Sequence, residues 1–212
     1  MRTKASNLTV LTLALIAVSA AIPVLADSAI SREDKIKAAF LYNFINFVDW
    51  PEERIADSNQ PITVGVIGSR YFLKAFEPVK HKKIKGREIA LRYFPGYEKL
   101  KKSQKADDSQ WNKKIGTLKS CHVLFLCTRH LGSIESSGRI IKALEDSPVL
   151  TVSETDGFLE SGGIINFLME DEKVRFEINN TTAKQAKLKI RSKLLRLAKR
   201  VIGKEAHNGT KN

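Results

Sequence analysis

The chain has 212 residues, of which 42% are hydrophobic and 28% charged, and its formal net charge at pH 7 is +13. This composition is ordinary for a folded protein, without a low-complexity tract, and the length predicts one domain. Such a domain buries a core without needing metal ions or disulfides as staples.

The first 26 residues have the pattern of a cleavable secretory signal peptide. Arg2 and Lys4 form a basic start, an uncharged and mostly apolar run spans residues 8–25, and Val24-Leu25-Ala26 resembles a cleavage site. A transmembrane anchor is the alternative, because the run is about long enough to cross a bilayer. Pro23 and the cleavage-like ending favour removal. We therefore expect residues 1–26 to be cleaved and the remaining chain to lie in the periplasm without inserting into the membrane.

Residues 27–203 are predicted to form a single α/β domain. A first helix is predicted over residues 31–47, where Ser31 is a suitable N-cap and the apolar residues recur at helical spacing. Ser69 is expected to cap a short helix over residues 70–76. Strands are predicted over residues 62–67, 88–94, 122–127 and 149–152, and the third of these is almost continuously apolar, as in strands buried on both faces.

The second half of the domain continues this alternation. A helix, or a loop containing one, is predicted within residues 97–119, and an amphipathic helix over residues 134–144. Residues 164–169 and 174–178 flank a short polar turn and predict a hairpin. Thr182 is expected to cap a last helical region, and residues 204–212 to form a flexible tail. These elements predict a mixed, mostly parallel sheet with helices on both faces, followed by a C-terminal hairpin and helix.

The positive charge is concentrated at the C-terminal end. Residues 183–212 contain ten Lys or Arg and one acidic residue, Glu205. A basic amphipathic segment of this kind could contact nucleic acid, an anionic membrane or an acidic protein surface, and export argues against nucleic acid. The alternative is a core-packed helix whose solvated face happens to be basic.

Candidate ligand or catalytic residues lie where two predicted strands end. Ser69 and Arg70 follow one strand, and Thr128 and Arg129 follow another, which makes them candidates for a small-ligand pocket because ligands of α/β sheets bind beyond the carboxyl ends of strands. A turn and an N-cap are the alternative at Ser69. Cys127 with His130 could be a nucleophile and base or two metal ligands, but no further residue supports either role. We therefore expect no enzyme activity, no cofactor and no metal site.

The two cysteines of this exported chain raise the question of a disulfide. Cys121 and Cys127 lie in one predicted strand, whose six residue steps span roughly 20 Å. Bridged Cα atoms lie within about 7 Å of each other. We therefore expect both thiols to be free within one chain, and a bridge between chains stays open.

Several blocks in a fixed order resemble the YfiR-like family. The first block runs from Lys37 to Pro51, the central strand begins at Cys121, and the last blocks are Gly157-Phe158 and residues 162–167, 174–179, 188–190 and 192–195. The resemblance covers residues 38–202. It implies a compact α/β domain, often a homodimer, in a periplasmic repressor of an inner-membrane diguanylate cyclase. Cys121 matches a cysteine position of the family but has no second cysteine elsewhere to pair with, so a disulfide switch is not expected here.

The resemblance implies that the protein acts by binding a partner. It would hold down cyclic-di-GMP synthesis, and so biofilm output, through the outer sensory domain of the cyclase. Part of the aromatic face of the first helix and the basic last helix are the expected contact surfaces, because exposed apolar and charged patches mark interfaces. The expected contact residues are Phe44, Phe47, Trp50, Lys193, Arg196 and Arg200. A periplasmic sensor of a small ligand is the alternative function, and a thiol enzyme using Cys127 a third.

Overall fold

The computed structural model describes residues 30–96, 108–127 and 134–203 of the chain. Seven strands form one sheet in the order β3-β2-β4-β5-β6-β7-β9. Their bounds are β2 Ile62–Ile67, β3 Ile89–Phe94, β4 Val123–Leu126, β5 Leu150–Ser153, β6 Ile165–Glu170, β7 Lys173–Asn179 and β9 Val201–Ile202. Neighbouring strands are parallel except β6 and β7, which are antiparallel. The predicted mixed, mostly parallel sheet is therefore confirmed.

Helices cover both faces of this sheet, as predicted. They are α1 Arg32–Phe47, α2 Asp108–Lys119, α3 Ile134–Ala143, α4 Asn180–Gln185 and α5 Ser192–Leu197, with two 3-10 helices at Glu52–Arg54 and Tyr71–Phe76. Alternate residues of β4 belong to different hydrophobic clusters: Val123 and Phe125 pack with α1, whereas Leu124 and Leu126 pack with α2 and α3. This alternation follows from the period of two along a strand. None of the described helices has both the length and the apolarity to cross a bilayer.

The predicted hairpin is formed by β6 and β7. Glu170 pairs with Lys173, so the loop contains only Asp171 and Glu172. Both loop residues have positive φ, 48° and 58°, as a two-residue primed turn requires. The turn chemistry thus sets the register that brings Phe167 opposite Phe176 in the core.

The C-terminal region differs from the single helical region predicted there. The chain forms α4, a short strand β8 (Lys189–Ile190), α5 and β9 in succession, and Lys187, with φ of 57°, lies between α4 and β8. The cap of α4 is Asn179, whose side chain accepts a hydrogen bond from the backbone N–H of Thr182 at 3.0 Å, so Thr182 is not the cap. Strand pairing explains the difference: β8 pairs with β1 (Val48–Asp49), and β9 pairs with β7.

Candidate functional site

Two of the expected contact residues lie in the core. Phe44 is fully buried, and its ring lies 5.0 Å from that of Phe176 and 5.6 Å from that of Phe167. Trp50 is 6% exposed and packs edge-on against His122. Neither side chain is therefore presented to a partner, because the inward face of α1 and the chain just after it are needed to cover the sheet.

Phe47 and the C-terminal basic residues lie at the surface. Phe47 is partly buried, and the ammonium of exposed Lys193 lies 5.4 Å from the centre of its ring. Arg196 is exposed on α5. Arg200 is also exposed, but it is bound by Glu177 and by Glu160, the latter at 2.9 Å. The structure thus brings Phe47 and Lys193 together and holds Arg200 in ion pairs beside β9.

A cluster of three charged side chains joins the C-terminal basic region to the chain just after α1. The guanidinium of Arg191 donates two hydrogen bonds to Asp49, at 2.8 and 2.9 Å, and the ammonium of Lys85 donates a third at 2.9 Å. The hydrogen bonds from Arg191 lower the pKa of Asp49, burial opposes them, and with the hydrogen bond from Lys85 the net result is a pKa of about 2. The carboxylate is therefore charged at neutral pH and fixes two cations at this edge.

A groove lies between the outward face of α1 and the β6–β7 hairpin, and we term it the α1–hairpin groove. Ile36 and Met169, which are 37% and 50% exposed, lie along it with partly buried Phe40. Apart from Val174, the remaining lining residues are charged and come from both elements: Arg32, Glu33, Asp171, Glu172, Lys173 and Arg175. An apolar floor with a charged rim is the usual anatomy of a protein contact site.

A buried charged cluster occupies the carboxyl edge of the sheet. Glu154 follows β5, Cys127 follows β4, and Lys37 reaches them from α1 with only 3% of its surface exposed. Lys37 donates hydrogen bonds to Glu154 and Glu33, and the thiol of Cys127 donates to Glu154 over 3.4 Å. Burial disfavours the ammonium, but the two carboxylates outweigh it and raise the pKa of Lys37.

This cluster borders a cavity of about 400 Å³. The charged cluster was not predicted from the sequence, although one feature of the sequence indicates a buried lysine. Lys37 stands four residues before buried Leu41 and seven before Phe44, so it lies on the inward face of an amphipathic helix and requires a buried counter-charge.

The expected ligand pocket is only partly within the described residues. Ser69 is buried, and its hydroxyl accepts a hydrogen bond from the N–H of Phe72 at 3.2 Å, but the 3-10 helix begins at Tyr71, so Arg70 and not Ser69 is the N-cap residue. Arg70 lies over the ring of Tyr93 at 4.4 Å. Thr128, Arg129 and His130 lie outside the described residues, as do the predicted signal peptide and tail.

A different cavity, of about 390 Å³, lies near the opposite edge of the sheet. Its lining includes apolar Ile141, Val149 and Ile164 and polar Lys142 and Gln185. Its volume is within the range of small-molecule sites. Within residues 30–96, 108–127 and 134–203, no group of three or more His, Cys, Asp or Glu side chains is placed to hold a metal ion.

The remaining titratable groups of the central strand are structural. His122 is buried, its Nδ1 accepts a hydrogen bond from the N–H of Thr63 at 3.0 Å, and burial lowers its pKa to about 4. Burial raises the pKa of the Cys121 thiol to about 11, which makes it a poor nucleophile. Cys121 and Cys127 are both buried, and neither forms a disulfide within the described residues.

A comparison with solved structures found, among others, two proteins of low sequence identity, of which the first supports the fold. A conserved domain protein from Vibrio cholerae O1 biovar El Tor has a TM-score of 0.52 and 10% identity, covering 79% of this chain and 60% of that one. The ABC domain of a Streptococcus pneumonia protein in complex with L-Trp has a TM-score of 0.46 and 12% identity, covering 76% and 61%. The chain thus spans about three-fifths of each structure, and the first likeness shows the α/β fold alone.

The family comparison covers most of the chain, whereas no curated protein matches it. Residues 34–199 match the family described as YfiR/HmsC-like, DUF4154. The matched range runs from the first turn of α1 to the residues between α5 and β9, so it contains six of the seven strands, the buried residues of both hydrophobic clusters and the Asp49–Arg191 ion pair. The chain therefore belongs to the YfiR/HmsC-like family.

Proposed function

We propose that this protein binds the outer domain of an inner-membrane diguanylate cyclase and represses it, so that cyclic-di-GMP synthesis and biofilm output fall. Membership of the YfiR/HmsC-like family over residues 34–199 is the observation that carries this proposal, because the family supports a periplasmic regulator of a diguanylate cyclase in general. Cleavage of residues 1–26 would deliver the chain to the periplasm, where it would act as a homodimer.

The mode of action is binding without catalysis. A protein that binds the inactive state of a two-state partner more tightly than the active state shifts the population toward inactivity. Shifting an equilibrium from 1:99 to 99:1 needs a difference in binding free energy of about 5.5 kcal/mol between the two states. Surface contact over a moderate area supplies differences of this size when a few anchor residues are buried.

The contact surface we propose combines the α1–hairpin groove with the exposed edge around Phe47. Ile36 and Met169 offer apolar area that the monomer leaves open, and Phe47 with Lys193 extends the contact along the far end of α1. Lys193, Arg196 and Arg200 would set the electrostatic complementarity, which governs orientation and association rate. Phe44 and Trp50 are excluded from this surface because they are buried.

Deletion and complementation test the function. Cells lacking the protein should contain more cyclic-di-GMP and form more biofilm, and the wild-type gene should restore both. The Ile36→Glu/Met169→Glu variant should fail to restore them at equal protein level, whereas Lys113→Glu on α2 should succeed. Unchanged cyclic-di-GMP on deletion, with the cyclase expressed, would contradict repression.

A small-ligand sensor is the second candidate, and the cavity lined by Ile141, Val149 and Gln185 supports it. A thermal-shift screen with periplasmic metabolites tests this role, because a ligand that binds only the folded state raises the melting temperature. An Ile141→Trp substitution, which fills the cavity, should abolish the shift.

A further inference from the structure

We propose that the protein docks on an anionic phospholipid surface through a line of basic side chains, Lys187, Lys189, Arg191 and Lys193, which we term the basic strip. All four side chains are exposed, whereas the intervening Leu188 and Ile190 are buried, as is Leu194 beyond the strip. The alternation from Leu188 to Arg191 arises because the chain is extended through β8, where successive side chains point to opposite sides. Lys187 precedes this stretch with φ of 57°, and Lys193 follows it in α5. The strip thus places four exposed cations within seven residues of chain, around β8 and the start of α5.

Few acidic groups neutralise this row. Asp49 is bound by Arg191 and also by Lys85, so the one carboxylate in contact with the strip is shared by two cations within the described ranges. Lys187, Lys189 and Arg196 form no ion pair in the part of the chain that the structure describes, and Lys193 contacts the ring of Phe47. The region therefore has a large local excess of positive charge.

An exposed apolar side chain extends the same surface. Leu197 is 64% exposed, the largest fraction among the exposed large apolar side chains of the described ranges, and it follows Lys193 by four residues on α5. Residues four apart share a helix face, so an ammonium and an isobutyl group point outward together. Cations beside an exposed leucine fit the boundary between lipid headgroups and acyl chains.

The residue types favour lipid headgroups over an acidic protein. Arginine is the residue that reads a fixed carboxylate with two parallel bonds, and the guanidinium of Arg191 is already occupied in this way by Asp49. The other three members are lysines, each a compact point charge on a flexible stem. Such a row suits the diffuse negative charge of a bilayer surface.

This inference rests on the proposed function only for placing the protein beside a membrane. Docking would concentrate the repressor at the surface from which its partner projects, and would thereby raise the effective concentration for binding. The test below needs no cyclase, so a failure of lipid binding and a failure of repression are separate results.

Vesicle co-sedimentation tests the proposal with protein recovered from the periplasm of cells that express the full chain. The protein should bind vesicles of phosphatidylglycerol and phosphatidylcholine, and not vesicles of phosphatidylcholine alone. Binding should weaken as salt shortens the Debye length from about 10 Å to about 3 Å. Lys187→Glu/Lys189→Glu should lower the partition coefficient by more than about tenfold, because each basic residue near an anionic surface contributes about fivefold.

Matched variants separate this role from general charge effects. Lys113→Glu/Lys114→Glu makes the same change in net charge on α2, which covers the other face of the sheet, and should retain at least half of the binding. Leu197→Gln should weaken binding while leaving its salt dependence. All variants should keep the wild-type circular dichroism spectrum. Absence of wild-type binding to anionic vesicles, equal loss in the α2 variant, or retention on immobilised polyglutamate without vesicle binding would overturn the proposal.

Discussion

Asp49 and Arg191 join the end of α1 to the C-terminal region through two parallel hydrogen bonds across 142 residues of sequence. The pairing of β1 with β8 places them, because Asp49 stands opposite Lys189 and Arg191 is two residues further on, directly after the last residue of β8. The N–H of Arg191 also donates to the carbonyl of Phe47 at 2.9 Å. The surface proposed for partner binding therefore combines two segments that are distant in sequence. The Asp49–Arg191 ion pair and the two-residue pairing of β1 with β8 hold these segments together.

This pair predicts an acid-sensitive contribution to stability. The pKa of Asp49 is lowered from its ordinary value of 3.8 to about 2 in the folded protein. A lowered carboxyl pKa stabilises the fold above the unfolded value, and that contribution is lost as pH falls through the folded value. Urea unfolding between about pH 5 and pH 2 should show a larger loss of unfolding free energy in wild type than in Asp49→Asn, which keeps only the contributions of other carboxylates such as Glu160 and Glu170.

The neighbouring Glu52→Gln provides the control for that measurement, since Glu52 is an exposed carboxylate without an ion pair in the described ranges. Added salt should also diminish the difference between wild type and Asp49→Asn, because exposed pairs are screened. If wild type and Asp49→Asn lost the same unfolding free energy as the pH fell, the ion pair would contribute nothing to stability.

Phe44 and Phe47 should behave differently although they lie three residues apart on one helix. Phe44→Ala removes a ring packed among Phe167 and Phe176 and should cost about 3–5 kcal/mol of unfolding free energy. Phe47→Ala should cost clearly less, because its ring is only partly buried, yet should impair repression at equal protein level. Equal destabilisation by the two substitutions would show that both rings belong to the core.

The buried ammonium of Lys37 should be essential for stability. Replacing it with glutamine breaks the buried ion pair with Glu154, whose side chain is 9% exposed, and should cost roughly 3 kcal/mol. Lys35→Gln changes an exposed lysine on the same helix and should stay within about 0.5 kcal/mol of wild type. Chemical denaturation at pH 7 compares them, and similar values for both would contradict a stabilising role for the cluster.

Two glycines should respond in opposite directions to alanine. A Cβ at Gly163 would lie 2.1 Å from the ring of Phe158, so Gly163→Ala should cost about 1–3 kcal/mol. A Cβ at Gly116 on α2 meets nothing within 4 Å, and alanine there should add about 0.5–1 kcal/mol through helix propensity. Thermal unfolding gives both values, and stabilisation by Gly163→Ala would show that the ring moves freely.

The fold could largely be read from the sequence because its strands and helices carry strong periodic signals. The apolar run of β4 and the Ser31 cap of α1 are local features, and they stand in the structure as predicted. The C-terminal region was not predictable in the same way. Its apolar spacing fits a helix, but pairing with β1 and β7 stabilises short strands there, and such long-range pairing leaves no local pattern.

The candidate site was less predictable, because exposure depends on tertiary contacts. An aromatic helix must bury one face, and the sequence does not say which rings form it; Phe44 turned inward while Phe47 stayed at the edge. The groove around Ile36 and Met169 joins α1 to a hairpin more than 120 residues away. A basic run, in contrast, was visible directly, since charged side chains remain at the surface wherever the backbone goes.

Site-specific photocrosslinking in living cells tests the central claim most directly. A photoreactive side chain at Ile36 or Met169 should capture the membrane diguanylate cyclase, whereas the same group at Lys113 on α2 should not. Crosslinking should disappear when the outer domain of the cyclase is deleted. Capture from Lys113 alone, or no capture from either groove position while the cyclase is still repressed, would contradict contact through this surface.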